Sequence, residues 1–340
     1  MVKGAEAVHA ANPNVLVILS GLNFDTDLSF INRPVNLTFK GKLVFEVHRY
    51  GFTDGQAWVD RNPNEECAKV TKSVKETSGF LLDQGWPLFV SEFGGDLRGT
   101  NVNDNRYLNC FMALLADLDL DWAYWSLVGS YYLREGVVGM EEFYGLLSWD
   151  WTQVRSTTFL NRITALQNPF RGPSIIKGNP YKLIFHPLTG LCVINKPLLN
   201  TTTLTLGPCS SSDGWTYTPQ KTLLVNNSNF CIRADKEGKP ATLSMACSDS
   251  NSKWEIISDS NMHLSSKLTD SSNVCLDVDD NNIIVTNACK CLSKDNKCDP
   301  ASQWFKLIDS GRRSISTTST LSMLNSPHLS DHLWKPLSSI

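Results

Sequence analysis

The sequence predicts a molecule in two parts, an α/β region over residues 1–170 followed by an all-β region over residues 179–309. Three observations predict this. Short apolar runs alternate with segments of helical length in the first part. Helical periodicity then stops, and short strands separated by Asn, Ser, Asp, Gly and Thr take over. Within that second stretch a pattern of two cysteines and a tryptophan occurs three times.

The first region opens with a predicted helix at Val2–Ala11. The apolar runs that follow are Val15-Leu16-Val17-Ile18-Leu19, Leu43-Val44-Phe45-Glu46-Val47, Pro87-Leu88-Phe89-Val90 and Trp122-Ala123-Tyr124-Trp125. Each is short, nearly continuous in apolar character and closed by Gly or polar residues, as a buried parallel strand requires. Helical segments are expected near Asn64 to Gln84, Asn103 to Asp117 and Thr152 to Gln167. This alternation fits either a doubly wound sheet or a barrel. The Pro- and Gly-containing link Asn168-Pro169-Phe170-Arg171-Gly172-Pro173 marks a boundary.

In the second region, Cys192 leads to Cys209 and Trp215, Cys231 to Cys247 and Trp254, and Cys275 to Cys289 and Trp304. One such unit cannot bury its own apolar face, but three around an axis can share a core. The three Trp are therefore expected to be core residues. The Ser- and Thr-rich tail over residues 310–340 has little periodicity and is expected to be disordered. Its Trp334, His328 and His332 show no metal or catalytic spacing.

The 340 residues suffice for two domains at about 150 residues each. A net charge of −3 without a long Lys/Arg block excludes a nucleic-acid-binding stripe. No apolar run reaches the roughly 18 residues of a membrane span, and the first residues lack a secretory apolar stretch. The ten cysteines nevertheless argue for an oxidising compartment, eight of them lying between Cys192 and Cys298. Acceptor sequons at Asn36, Asn200 and Asn226 agree. A metal reading of Cys289, Cys291 and Cys298 finds no second pair or nearby histidine, so disulfides are preferred. The cysteines point to an extracellular location.

In a βα-repeat protein the reactive side chains gather where strands end. The second strand ends in Glu46, His48 and Tyr50, which alternation places on one side. The third ends in Ser91-Glu92-Phe93-Gly94, and the fourth in Trp125-Ser126. An acid closing an otherwise apolar strand is costly to place, so Glu92 is the leading catalytic candidate. A carboxylate can attack an anomeric carbon while imidazole and phenol groups hold its charge and an indole supports a sugar ring. Glu46 is expected to sit deeper as a structural partner. Glu65 and Glu66 read as surface acids at a helix start, and Glu141 and Glu142 as loop acids.

These strand ends, His48-Arg49-Tyr50, Val90-Ser91-Glu92-Phe93-Gly94 and Trp125-Ser126, resemble the later strands of glycoside hydrolase family 5, the cellulase family. The longer likeness is to plant members with a ricin B-like lectin domain. It implies the C-terminal half of a (β/α)₈ TIM barrel followed by a β-trefoil. It also implies a retaining glycosidase acting on β-linked glucan or mannan-type polysaccharide without a cofactor or metal. Glu92 would be its nucleophile, His48 and Tyr50 would support that residue, and Trp125 would be the sugar platform. The family's acid/base, an Asn-Glu pair ending the fourth strand, has no counterpart here. Asn64-Glu65 falls on a helix start, and four strand candidates precede the repeats where a barrel of roughly 250 residues has eight. The resemblance is thus to a member shortened at its N-terminus. The alternative is an inactive member that only binds carbohydrate.

The threefold units resemble the ricin B-type lectin. The sugar-binding Asp of that family is matched only by Asp277, its counterparts being Ile194 and Arg233. At most one site is therefore expected, around Asp277 with Asn281 or Asn282. The expected partner is a polysaccharide or oligosaccharide, not nucleic acid or membrane.

Overall fold

The computed structural model describes residues 1–31, 35–171, 181–198 and 201–310. Gly172 and Pro173 of the link, the sequon at Asn200 and the tail beyond residue 310 lie outside the described residues, as do residues 179 and 180.

Four parallel strands, β1 (Val17–Leu19), β2 (Leu43–Tyr50), β3 (Leu88–Gly94) and β4 (Asp121–Tyr124), form one sheet in sequential order. Sequential parallel pairing requires a crossover between each pair of strands. Between β2 and β3 runs α2 (Pro63–Val74), and between β3 and β4 runs α3 (Val102–Leu118), while α1 (Val2–Ala11) precedes β1 and α4 (Thr157–Thr164) follows β4. Asn62 caps α2 by accepting the Asn64 N–H, Pro63 occupies the first helical turn, and Asn101 caps α3 by accepting from Asp104. Ser156 caps α4, so the helix expected from Thr152 starts at Thr157 instead. A β-hairpin without a counterpart in the sequence reading, β5 (Ser130–Arg134) and β6 (Val137–Glu141), leaves and returns to the end of β4.

The second region is all β. An eight-stranded sheet runs in the order Thr242–Ser244, Cys231–Arg233, Leu223–Val225, Trp215–Tyr217, Tyr181–His186, Leu191–Leu198 and Thr201–Gly207, with Lys306–Ser310 also paired to Tyr181–His186. A five-stranded sheet comprises Lys239–Pro240, Ile284–Ala288, Asn273–Val278, His263–Lys267 and Glu255–Ile257. Disulfides close each cysteine unit within itself: Cys192–Cys209, Cys231–Cys247 and Cys275–Cys289. Cys291–Cys298 closes a short loop and Cys67–Cys110 ties α2 to α3. Every cysteine is paired, which settles the choice between disulfides and metal at Cys289, Cys291 and Cys298.

Trp215 and Trp254 are buried in a core made only of second-region residues. Trp304 is equally buried, but it joins the first region's core together with Tyr181, Leu183, Phe185 and Met262. Helix α3 is buried along most of its length because it has the sheet on one side and the second region on the other. The seam is polar as well as apolar. Asn62 Nδ2 donates to the carbonyls of Cys291, Ser293 and Asp295, and Asn64 Nδ2 donates to Cys291 O. Arg106 donates to the carbonyls of Trp58, Asn296 and Cys298. Glu66, expected on the surface, is buried at the start of α2, where Arg61 and Lys69 stand 3.4 and 3.7 Å from its carboxylate.

Two histidines of the second region give a pH prediction. His186 and His263 are fully buried, each with Nδ1 3.0 Å from a hydroxyl, and burial holds both down to about 4. The unfolded chain protonates them near pH 6.5. Between those values the unfolded state binds protons that the native state does not. Their contribution to stability is therefore complete above about pH 6.5 and lost as pH falls toward 4, by up to about 3 kcal/mol each. Denaturant midpoints at pH 7 and 4.5 should differ, and His263→Gln should reduce that difference; an unchanged difference contradicts the assignment.

Candidate active site

The site lies where β2, β3 and β4 end. Pairing of β2 with β3 sets His48 beside Glu92 and Tyr50 beside Gly94, after a register shift between Val47 and His48. Tyr50 donates its phenol hydrogen to Glu92 Oε2 at 2.7 Å. Burial, and then that bond, raise the phenol's pKa well above its ordinary value, so Tyr50 stays a donor. His48 Nδ1 stands 3.6 Å from Glu92 Oε2 and 3.7 Å from Asp25 Oδ2, between two carboxylates. The backbone N–H of His48 donates to Asp25 O at 2.8 Å, fixing the loop after β1 against the rim. Glu46, expected to be deep, is only partly buried, because alternation along β2 turns it away from the core-facing Phe45 and Val47.

Trp125 follows β4 directly, its backbone N–H donating to Phe93 O at 2.8 Å. This approach depends on Gly94: a Cβ there would lie 2.3 Å from Trp125 O. Glu92 lines two adjoining cavities. One, of 670 Å³, is shared with Asn23, Phe24, His48, Tyr50 and Phe52. The other, of 440 Å³, is shared with Tyr50, Phe52, Trp125, Arg134, Glu142 and Tyr144. The rings of Tyr50 and Phe52 stack 4.7 Å apart, and Phe24 is 95% exposed at the cavity mouth. A carboxylate flanked by donors and aromatic faces can bind a polyol and attack an acetal carbon.

Glu142 lies just past β6, outside any strand, as a loop acid should, but it does not face solvent. It is buried, and the hairpin β5–β6 folds back to enclose it. No alternation of buried and polar residues marks that hairpin in the sequence, since Tyr132, Leu133, Val137 and Val138 are exposed. Among the described residues, no group of three or more His, Cys, Asp or Glu side chains has metal-holding geometry.

Asp277, on a strand of the second region, is almost wholly buried. Its carboxylate accepts from Asn287 Nδ2 at 3.1 Å and Gln303 Nε2 at 3.0 Å, with Lys290 Nζ at 3.4 Å. Donors from Asn287 and Gln303 lower its pKa despite burial. Asn281 and Asn282 form part of the turn organised by Asp279, two residues beyond Asp277.

Residues 2–130 match the family model of cellulase (glycosyl hydrolase family 5), and residues 181–304 match that of the ricin-type beta-trefoil lectin domain. A curated relative, a glycosyl hydrolase 5 family protein of Chamaecyparis obtusa, is 40% identical over 329 residues. That match takes in 91% of this chain, which spans 58% of the relative's length. Among solved structures, a cellotetraose complex of the endocellulase of Pyrococcus horikoshii has 18% identity over 49% of this chain and 47% of that one, with a TM-score of 0.41. The endoglucanase of Pseudomonas stutzeri has 18% identity over 37% and 40%, with a TM-score of 0.30. The chain is thus similar to glycosyl hydrolase family 5 over residues 2–130 and to ricin-type beta-trefoil lectin domains over residues 181–304. No helix among the described residues is long and apolar enough to cross a membrane, and five disulfides fit an extracellular protein.

Proposed function

We propose that this chain carries the nucleophile half of a retaining β-glycosidase, acting on β-linked glucan or mannan-type polysaccharide, beside a carbohydrate-binding domain. The single observation that carries this reading is Glu92, held by Tyr50 and facing His48 between two aromatic-lined cavities. In it, residues 1–170 supply the last four βα units of a (β/α)₈ barrel, and residues 179–309 form a β-trefoil. The location is extracellular or the cell wall, and the role is polysaccharide catabolism. The Glu92 carboxylate attacks the anomeric carbon, Tyr50 and His48 hold its charge, and Trp125 supports the sugar ring. Asp277, with its neighbours, is the remaining sugar-contact candidate of the lectin domain.

The test removes the need for a proton donor. An activated 2-fluoro β-cellobioside with a dinitrophenolate leaving group forms the carboxylate–C1 bond as the C1–aryloxide bond breaks, and the phenolate departs unprotonated. Fluorine slows the water-dependent second step. The expected result is one glycosyl adduct per chain, located by mass spectrometry on the peptide containing Glu92. An adduct on another residue, or none, refutes the nucleophile assignment.

A further inference from the structure

The cavity shared by Glu92 and Trp125 contains a second carboxylate, whose surroundings differ sharply from those of Glu92. The side chain of Glu142 is 11% exposed. Its Oε1 accepts the Tyr144 backbone N–H at 3.0 Å. Its Oε2 accepts from Trp125 Nε1 at 3.2 Å, Arg134 Nη1 at 3.3 Å and the Tyr131 hydroxyl. Burial and the bond to Glu142 push the Tyr131 phenol up to about 12, so it remains a donor. The guanidinium of Arg134 also lies 4.5 Å over the Tyr131 ring, which locks the two donors together.

Four donors converge on this carboxylate, one at Oε1 and three at Oε2. An arginine is among those donors, its Nη1 3.3 Å from Oε2. The Glu142 backbone is equally fixed. The N–H donates to Gly129 O at 3.0 Å, and the carbonyl accepts from Gly145 N at 3.0 Å and Arg155 Nη2 at 3.1 Å. A buried charge is an expensive way to brace a hairpin, since an apolar side chain could fill the same volume. A fixed anion does something that an apolar group cannot, which is to fix the indole ring through its single N–H. Trp125 otherwise has two soft side-chain torsions.

We infer that Glu142 is a positioning residue: it orients the Trp125 indole through Nε1 so that its face receives a sugar ring beside Glu92. Tyr131 and Arg134 keep the Glu142 carboxylate in place. This deepens the saccharide reading above and rests on it.

The test is a double-mutant cycle on the full chain, with cellohexaose and mannohexaose binding measured by calorimetry. Trp125→Phe keeps an aromatic face but removes the N–H. Glu142→Gln keeps the size but cannot serve all four donors with one oxygen. Alone, Glu142→Gln is expected to weaken binding about tenfold. In the Trp125→Phe background the same change is expected to have less than about a twofold effect, because the N–H through which Glu142 acts is gone. An equal loss in both backgrounds would mean that Glu142 only braces the hairpin, and would overturn the inference; so would unaltered binding by Glu142→Gln in a chain that needs Trp125. If wild-type protein binds neither oligosaccharide, the saccharide reading fails and takes this inference with it.

Discussion

Glu92→Gln should lower release of dinitrophenolate from an unfluorinated activated β-cellobioside by at least about 10³-fold, or about 4 kcal/mol of barrier. The substitution keeps the side chain's shape, and its amide oxygen can still accept the Tyr50 hydroxyl that lies 2.7 Å from Oε2 in the native protein. What disappears is the anion that forms the bond to C1. Oligosaccharide binding should change only severalfold, since the aromatic walls formed by Phe24, Phe52 and Trp125 are untouched. Tyr50→Phe provides a graded companion. It removes one hydrogen bond to a charged group, worth about 1.5–3 kcal/mol, so the rate should fall roughly 10- to 100-fold. Initial rates with the wild type and both variants decide the matter. A Gln variant keeping more than about a hundredth of the rate, less than 3 kcal/mol of lost stabilisation, would exclude Glu92 as nucleophile.

The second large effect is on stability. Trp304→Ala should cost about 3–5 kcal/mol, the range for truncating a buried aromatic residue. Trp304 is 1% exposed, and its Nε1–H donates to Asn64 Oδ1 at 2.9 Å across the seam between the two regions. Its loss leaves that oxygen with only the Ser260 hydroxyl, 2.7 Å away. The thermal midpoint should fall by on the order of 10 °C. Limited proteolysis should then cut the link over residues 168–173 faster, because the seam has lost its central ring. Trp254→Ala serves as the comparison. It removes an equally buried indole, bonded to Ile232 O at 2.9 Å, from a core confined to the second region. It should lower the midpoint without the same acceleration at the link. A Trp304→Ala midpoint within about 2 °C of wild type would contradict its place in the core.

Much of the rim was legible from local pattern. His48, Tyr50 and Glu92 each close an apolar run, and strand ends in a parallel sheet converge whatever the loops do. The threefold Cys and Trp spacing likewise located the strands of the second region. The hairpin β5–β6 escaped notice because Tyr132, Leu133, Val137 and Val138 are exposed, so no alternation of buried and polar residues marks it. With the hairpin unseen, Glu142 read as a loop acid. Glu66 read as a surface acid because a helix start normally faces water.

The sequence by itself determined the order of α/β and all-β regions, the rim of His48, Tyr50 and Glu92, and the repeat of cysteines. Those follow from periodicity and spacing, which neighbouring residues carry. Tertiary structure alone decided that Glu66 and Glu142 are buried, that Trp304 belongs to the seam, and that Asp277 is engaged by Asn287 and Gln303. Burial depends on which distant surfaces meet, and a Glu at a helix start or a strand end has the same local pattern whether water or an arginine covers it.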